Sequence, residues 1–309
     1  MNKKLRLLKS VLLNSLVLFF IFFAFSCVSN KSEYTEDSQE FYSECQKYLP
    51  EQIEWQKINS WSDYFFYENK KFPIRWHAIK INLNSEKLKI TAFPENDKDF
   101  FNVKGKPNFF KGVRIKKFAK DSGSQIAINT SPFIGKNGTW NLRSMMSSTR
   151  KIVGVHIADG TKLSEPNSLY SSLCFAKEQN QNSLKAFIAE QKDTEIYKNC
   201  DFAFGGFFTI LKDGKKIDSF LNTHDSRTAA GVSSDGKILY LLVVEGERRF
   251  KSEGLSFSQC ADIMILLGAN DAMEMDGGGS SSLFINQKNV LGYPALRVNA
   301  AYMGVKREK

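Results

Sequence analysis

The chain has 309 residues, 42% of them hydrophobic and 26 of them phenylalanine, with a formal net charge of +10. That is enough for one large domain or two small ones, and the composition excludes a disordered or collagen-like chain. Lys3, Lys4, Arg6 and Lys9 lie in a leader without acidic residues; without them 39 basic residues face 33 acidic, a net charge of +6. That balance suits an anionic substrate or a membrane surface and does not call for nucleic acid.

The leader has the form of a secretory signal, a basic start followed by an apolar run over residues 11–25. The run is short for a membrane span and contains Asn14 and Ser15. It ends in Ala24-Phe25-Ser26-Cys27, which resembles a bacterial lipobox with Cys27 as the lipidated residue. Phe25 is a departure, since small residues are usual there. A lipoprotein in the bacterial cell envelope is the expectation, with ordinary secretion and an uncleaved anchor as alternatives. Residues 1–26 then form the signal peptide, residues 27–50 a polar tether and residues 51–309 the globular domain. Cys45, Cys174, Cys200 and Cys260 remain, and export permits disulfides in any of three full pairings. No cysteine sits in a CxxC or beside histidine at metal spacing. Cys260 falls on an apolar helix face and reads as core.

Residues 76–83 and 88–93 alternate as strands. Residues 109–119 mix basic and apolar side chains at near-helical spacing. Residues 125–129 read as a buried strand that stops at a polar cluster. Asp159-Gly160, Asp213-Gly214 and Asp235-Gly236 each separate apolar runs and predict three β-hairpins. Ser256 and Gln259 form a capping box ahead of Phe257, Cys260, Ala261, Met264 and Leu267, the buried face of a helix that Gly268 ends. Residues 272–276 and 283–285 then read as strands. The expected class is α+β, a β-rich single catalytic domain with mixed sheets and a few packed helices. His77 and His156 sit in strand patterns and read as structural; Phe133 and Phe207 could stack on a sugar ring but, in a chain with 26 phenylalanines, read as core.

Between the last two strands lies Asp276-Gly277-Gly278-Gly279-Ser280-Ser281. Three glycines let the backbone turn sharply, and their N–H groups with those of the serines can form a concave anion site with Asp276 at its mouth. The loop joins strand to strand and lacks a lysine, so it is not a P-loop, and its spacing is not that of a dinucleotide fingerprint. No cofactor is expected. Asp225, Glu245 and Asp276 are possible oxygen ligands for a hard cation, but without calcium-loop spacing no metal is expected either.

Four apolar strands end in polar or glycine residues: Asn129 to Phe133, Phe204 to Phe208, His224 to Gly231 and Met275 to Ser280. In this order the segments resemble the phosphodiester glycosidase family. The resemblance rests on Asn-x-x-x-Phe (Asn129, Phe133), Arg-Thr-Ala-x-Gly (Arg227 to Gly231) and Val-Val-acid-Gly-x-Arg (Val243 to Arg248). It rests further on Gly254-Leu255-Ser256, Leu267-Gly268-Ala269 and the Asp-Gly-Gly-Gly-Ser-Ser signature. It covers roughly residues 76–305. Glu274 stands where the family usually has Asn, Ser226 where Pro is frequent, and Thr130-Ser131-Pro132 replaces a smaller stretch.

The resemblance implies hydrolysis of a sugar-1-phosphodiester at its glycosidic bond. The leaving group is already a stable anion, so holding the diester matters more than acid assistance. Arg227 is the expected phosphate ligand, because a guanidinium binds phosphate through two parallel bonds. Gly277, Gly278, Gly279 and Ser280 would cradle the same phosphate or a sugar hydroxyl. Asp276 is the first candidate for the carboxylate beside the anomeric carbon and Glu245 the second. Asn129 would bond the sugar or orient a carboxylate, and His224 would assist proton transfer. Glu274 faces either the core or the sugar. The expected partners are a sugar phosphodiester or glycan and the membrane, through the lipid anchor. Two rival readings stay open: a carbohydrate- or partner-binding lipoprotein that keeps the fold without catalysis, and a hydrolase of another envelope polymer.

Overall fold

A computed structural model describes residues 45–96, 108–135, 148–177, 184–217, 222–248 and 250–308. The leader, Cys27 and most of the tether lie outside the described residues. The chain divides into two units, residues 1–49 and 50–309. In the first, the described part is a short turn in which the Tyr48 and Leu49 amides donate to the Cys45 carbonyl. Among the described residues no helix is long and apolar enough to cross a membrane.

The second unit is α+β and strand-rich, with most of its strands in three sheets. The largest has eight strands. Ser62–Asn69, Ile74–Asn82, Ile238–Val244, Arg227–Val232, Asp271–Glu274 and Thr209–Lys212 lie side by side in it, all antiparallel. A five-stranded sheet contains Leu283–Ile285, Ile126–Asn129, Tyr302–Arg307 and Leu88–Phe93. Another is built on Ser171–Lys177 between Phe202–Gly205 and Leu184–Glu190. Strand alternation then sorts the side chains. Ala230, Val232, Leu241, Val243 and Met273 enter one apolar core together with Ile126, Ile128, Met303 and Val305 of the second sheet. Burial of each large aliphatic side chain contributes about 1.5–3 kcal/mol.

Arg227, Ala229 and Gly231 point to the opposite face, where the helix Phe257–Leu267 packs. Its capping box is formed, with Ser256 and Gln259 each accepting from the other's amide, and Gly268 ends it in the left-handed region. A Cβ at Gly231 would lie 2.9 Å from the Met264 sulfur, so this close packing requires glycine.

All three Asp-Gly pairs turn hairpins. At Asp159-Gly160 and Asp213-Gly214 both residues have positive φ, between 46° and 74°, as a type I′ turn requires. Residues 109–119 are a different case. Phe110–Lys111 and Val113–Arg114 are short strands, and the helix begins only at Ile115 and runs to Ser122. The apolar spacing that anchors it is Ile115, Phe118 and Ala119 against Ala127, Phe284 and Tyr302.

Among the described residues, Cys45, Cys174, Cys200 and Cys260 are thiols. Cys260 is buried in the helix–sheet interface. Cys174 pairs in register with Ala203, Cys200 lies just ahead of that strand, and both sit in one apolar cluster with Tyr197. Their thiols are hydrogen-bonded neighbours. Folded protein held in a disulfide-exchange buffer is therefore expected to lose two hydrogens, with a Cys174–Cys200 linked peptide in the mass spectrum of a digest. A cross-link to Cys260 instead would contradict this packing.

Candidate active site

The glycine-rich loop links two sheets. It leaves the eight-stranded sheet after Glu274, makes a short 3-10 turn over Gly278–Ser280, and enters the five-stranded sheet at Leu283. Its shape is set by neighbouring strand ends. The Met275 amide donates to the Thr228 carbonyl (2.7 Å), that of Asp276 to Thr130 (2.8 Å) and that of Gly278 to Ser226 (2.7 Å). Asn129 clamps both sides of the loop. Its Nδ2 donates to the Asp276 carbonyl at 2.6 Å, and its Oδ1 accepts from the Ser282 amide at 2.9 Å and the Thr228 hydroxyl at 3.2 Å. A Cβ at Gly277 would meet the Ser226 carbonyl oxygen at 2.7 Å, and one at Gly279 the Arg297 guanidinium at 2.5 Å. Those two glycines allow the strand end and the arginine to come this close.

Above the loop is a cavity of about 360 Å³. Ser226, Gly246, Gly278 and Gly279 supply backbone to its wall, Glu247, Arg248 and Arg297 supply charge, and Tyr293, Pro294 and Leu296 supply an apolar side. Arg297 donates from Nη1 to the Ser280 hydroxyl at 3.1 Å. Arg248 donates to the Gly292 carbonyl at 2.7 Å and stacks on the Tyr293 ring. Asp276 is only 5% exposed, and its Oδ2 has no hydrogen-bond partner. Burial pushes its pKa up to about 7; a Ser280 hydrogen bond and the Arg297 charge oppose the shift, and Asp225 adds to it. Glu247 is raised as well, by partial burial first and then by the charge of Asp225, with which it shares a hydrogen bond. Among the described residues no group of three or more His, Cys, Asp or Glu side chains is placed to hold a metal ion.

The residues read from the sequence divide between the cavity and its supports. Gly278 and Gly279 border the cavity, and Ser280 reaches it through Arg297. The anion cradle is largely closed, because the amides of Gly278, Ser280, Ser281 and Ser282 are spent on Ser226, Gly277, Gly278 and Asn129. Asn129 is buried and acts on the Asp276 backbone. His224 is exposed and does not border the cavity.

Arg227 turns to the helix side of its sheet. It donates to the Leu255 and Thr223 carbonyls and lies over the Phe257 ring, 4.5 Å from its centroid. Its guanidinium anchors the segment ahead of the helix, and the cations lining the cavity are Arg248 and Arg297.

Glu245 lies beneath the cavity, fully buried. Its Oε1 accepts from His77 Nε2 at 2.9 Å and from the Gly292 amide at 2.8 Å. Burial alone would raise its pKa, but the hydrogen bonds from His77 and Gly292 and the charge of Arg75 outweigh it, so the net shift is downward. His77 is held mainly neutral by its own burial, and its Nδ1 accepts from the Tyr64 hydroxyl at 2.8 Å. This buried chain fixes the 292–297 turn that carries Arg297.

Glu274 faces the helix beside Cys260 and Arg227, away from the cavity. Arg297 and the Asp225–Glu247 pair were not legible as site residues. Asp225 stood out only as a possible cation ligand, and nothing around Arg297 marks it in the sequence.

A buried carboxyl group of raised pKa near Arg297, in the loop that lines a cavity with Arg248 and Arg297, is an arrangement suited to an anionic substrate. The chain belongs to the phosphodiester glycosidase family: a model of that family matches residues 122–304. No curated protein matches at a significant level. Among solved structures, the catalytic domain of zebrafish N-acetylglucosamine-1-phosphodiester alpha-N-acetylglucosaminidase, auto-inhibited by its pro-peptide, is similar in fold. The TM-score is 0.60 at 15% identity, over 83% of this chain and 87% of that one. A hypothetical protein from Synechocystis has a TM-score of 0.60 at 12% identity over 83% of this chain; the match spans 64% of that protein's length. A Burkholderia pseudomallei protein described as exported gives 0.57 at 12% identity over 75% of this chain and 74% of that one. At these identities the likeness is one of fold.

Proposed function

We propose that the protein hydrolyses the glycosidic bond of a sugar-1-phosphodiester of the N-acetylglucosamine type, outside the cytoplasm and anchored through a lipid on Cys27. The observation that carries the catalytic reading is Asp276, buried with a raised pKa within the field of Arg297, in the loop whose Gly278 and Gly279 line the cavity. Arg297 and Arg248 hold the diester phosphate and neutralise the phosphate monoester as it leaves. Asp276, once ionised, stabilises the positive charge that grows at the anomeric carbon. Glu247, with its raised pKa and its bond to Asp225, is the second carboxyl group at the cavity and takes a proton from the attacking water. Burial of Asp276 strengthens these effects, since charges interact more strongly away from water.

The test is sugar release from a panel of sugar-1-phosphodiesters by the folded protein. Arg297→Ala is expected to raise KM and lower kcat/KM by about a hundredfold, as loss of a charge-assisted phosphate contact should. A panel that gives no sugar, with the protein shown to be folded, contradicts the reading. The anchor is tested separately: Cys27→Ala is expected to move the protein from the membrane fraction to the soluble one, and retention in the membrane argues against lipidation.

A further inference from the structure

We propose that the outer wall of the cavity is a subsite for an apolar aglycone, so that the preferred substrate is a sugar phosphodiester whose second ester carries an alkyl or acyl chain. The inference rests on the functional reading above, which places the phosphate between Arg248 and Arg297. One ester oxygen of that phosphate then carries the sugar toward Asp276. The other ester leaves through the cavity mouth, where the wall changes character.

Tyr293, Pro294 and Leu296 form that apolar wall. Leu296 is 60% exposed, and it is held outward by its own turn, in which its amide donates to the Pro294 carbonyl at 3.0 Å. The next turn around the rim carries Glu247 and Arg248 on its cavity side. It is closed by the Arg248–Ser252 bridge and presents Phe250 at 82% exposure. Isolated exposed apolar residues are ordinary. Here two of the six large exposed hydrophobics among the described residues sit on the two turns that also carry the cavity's arginines. A sugar aglycone would need donors and acceptors for its hydroxyls. Proline, leucine and a tyrosine ring already stacked on Arg248 offer few, whereas an alkyl chain gains by covering them.

The experiment uses the full-length protein and N-acetylglucosamine-1-phosphodiesters that differ only in the aglycone: methyl, hexyl, dodecyl and a water-soluble hexose. KM is expected to fall by about tenfold from methyl to dodecyl as apolar surface is covered. A change in kcat of no more than about twofold is expected, because binding of a remote group acts equally on ground and transition states. In the double variant Leu296→Ser, Phe250→Ser the methyl-to-dodecyl KM ratio should collapse toward unity. Equal KM across the alkyl series, or preference for the hexose diester, overturns the aglycone inference and leaves the glycosidase reading standing. Failure to cleave any member, methyl included, removes the functional reading and the inference with it. Should the double variant not fold, the wild-type series decides alone.

Discussion

Asp276→Asn is expected to lower kcat/KM on a sugar-1-phosphodiester by about a thousandfold, the scale of a positioned carboxylate's contribution. That corresponds to about 4 kcal/mol of transition-state stabilisation. The fold should survive the change. Asparagine has the same shape, and the loop at this position is held by backbone: the Asp276 amide donates to Thr130 and its carbonyl accepts from Asn129. The pH dependence separates this role from a structural one. With a pKa near 7, Asp276 is protonated below neutrality and ionised above it. Catalysis by the ionised form makes wild-type kcat/KM rise with pH through about 7 and level off beyond. The residual activity of the variant should lack that limb. A variant with wild-type kcat/KM would remove Asp276 from the chemistry. A wild-type profile that falls through pH 7 would instead make Asp276 a proton donor.

The second large effect is on stability, at Glu274. This side chain is fully buried, neither carboxyl oxygen accepts a hydrogen bond, and desolvation pushes its pKa up to about 8 against the pull of Arg227 and the neighbouring Cys260. Folding therefore takes up a proton between pH 4.5 and 8. Stability is unaffected by this group below its unfolded pKa. It falls as pH rises from there and stops falling above the folded pKa. At pH 7 the cost is about 3 kcal/mol. Glu274→Gln keeps the volume and cannot ionise. It should stabilise the protein at pH 7 by up to about that amount and leave it little changed near pH 4.5. Urea unfolding of both proteins across this range checks it. Parallel stability curves would mean that Glu274 is not held protonated by the fold. Since Glu274 lies on the helix side of its strand, substrate preference should be unaffected.

Much of this architecture is legible because it is local. An Asp-Gly pair between apolar runs specifies its own turn, and Ser256 with Gln259 specifies a helix start regardless of what lies beyond. The signature loop was legible for the same reason: three glycines between two buried strands have few structural explanations. Which face of a strand meets the site is not local. Arg227 and Thr228 are adjacent, yet one anchors the helix side and the other bonds Asn129 beneath the loop. Sequence marked the arginine for its chemistry, but alternation in a sheet of unknown neighbours turned it the other way. Arg297 was missed because it comes from a turn far along the chain. It is brought to the loop by Ser280 and by a glycine that leaves room for its guanidinium. Glu245 ends a strand beside the cavity, as its position suggested, but a buried histidine and the Gly292 amide engage it from behind. Its contribution passes through the turn that bears Arg297.

On the proposed function, the bond broken is between the anomeric carbon and the phosphate oxygen. Hydrolysis of an N-acetylglucosamine-1-phosphodiester in water enriched with heavy oxygen tests it directly. Free N-acetylglucosamine carrying the label at its anomeric oxygen is expected, together with an unlabelled phosphate monoester of the aglycone. Label in the phosphate, with N-acetylglucosamine-1-phosphate or the free aglycone alcohol as product, would show attack at phosphorus and contradict it.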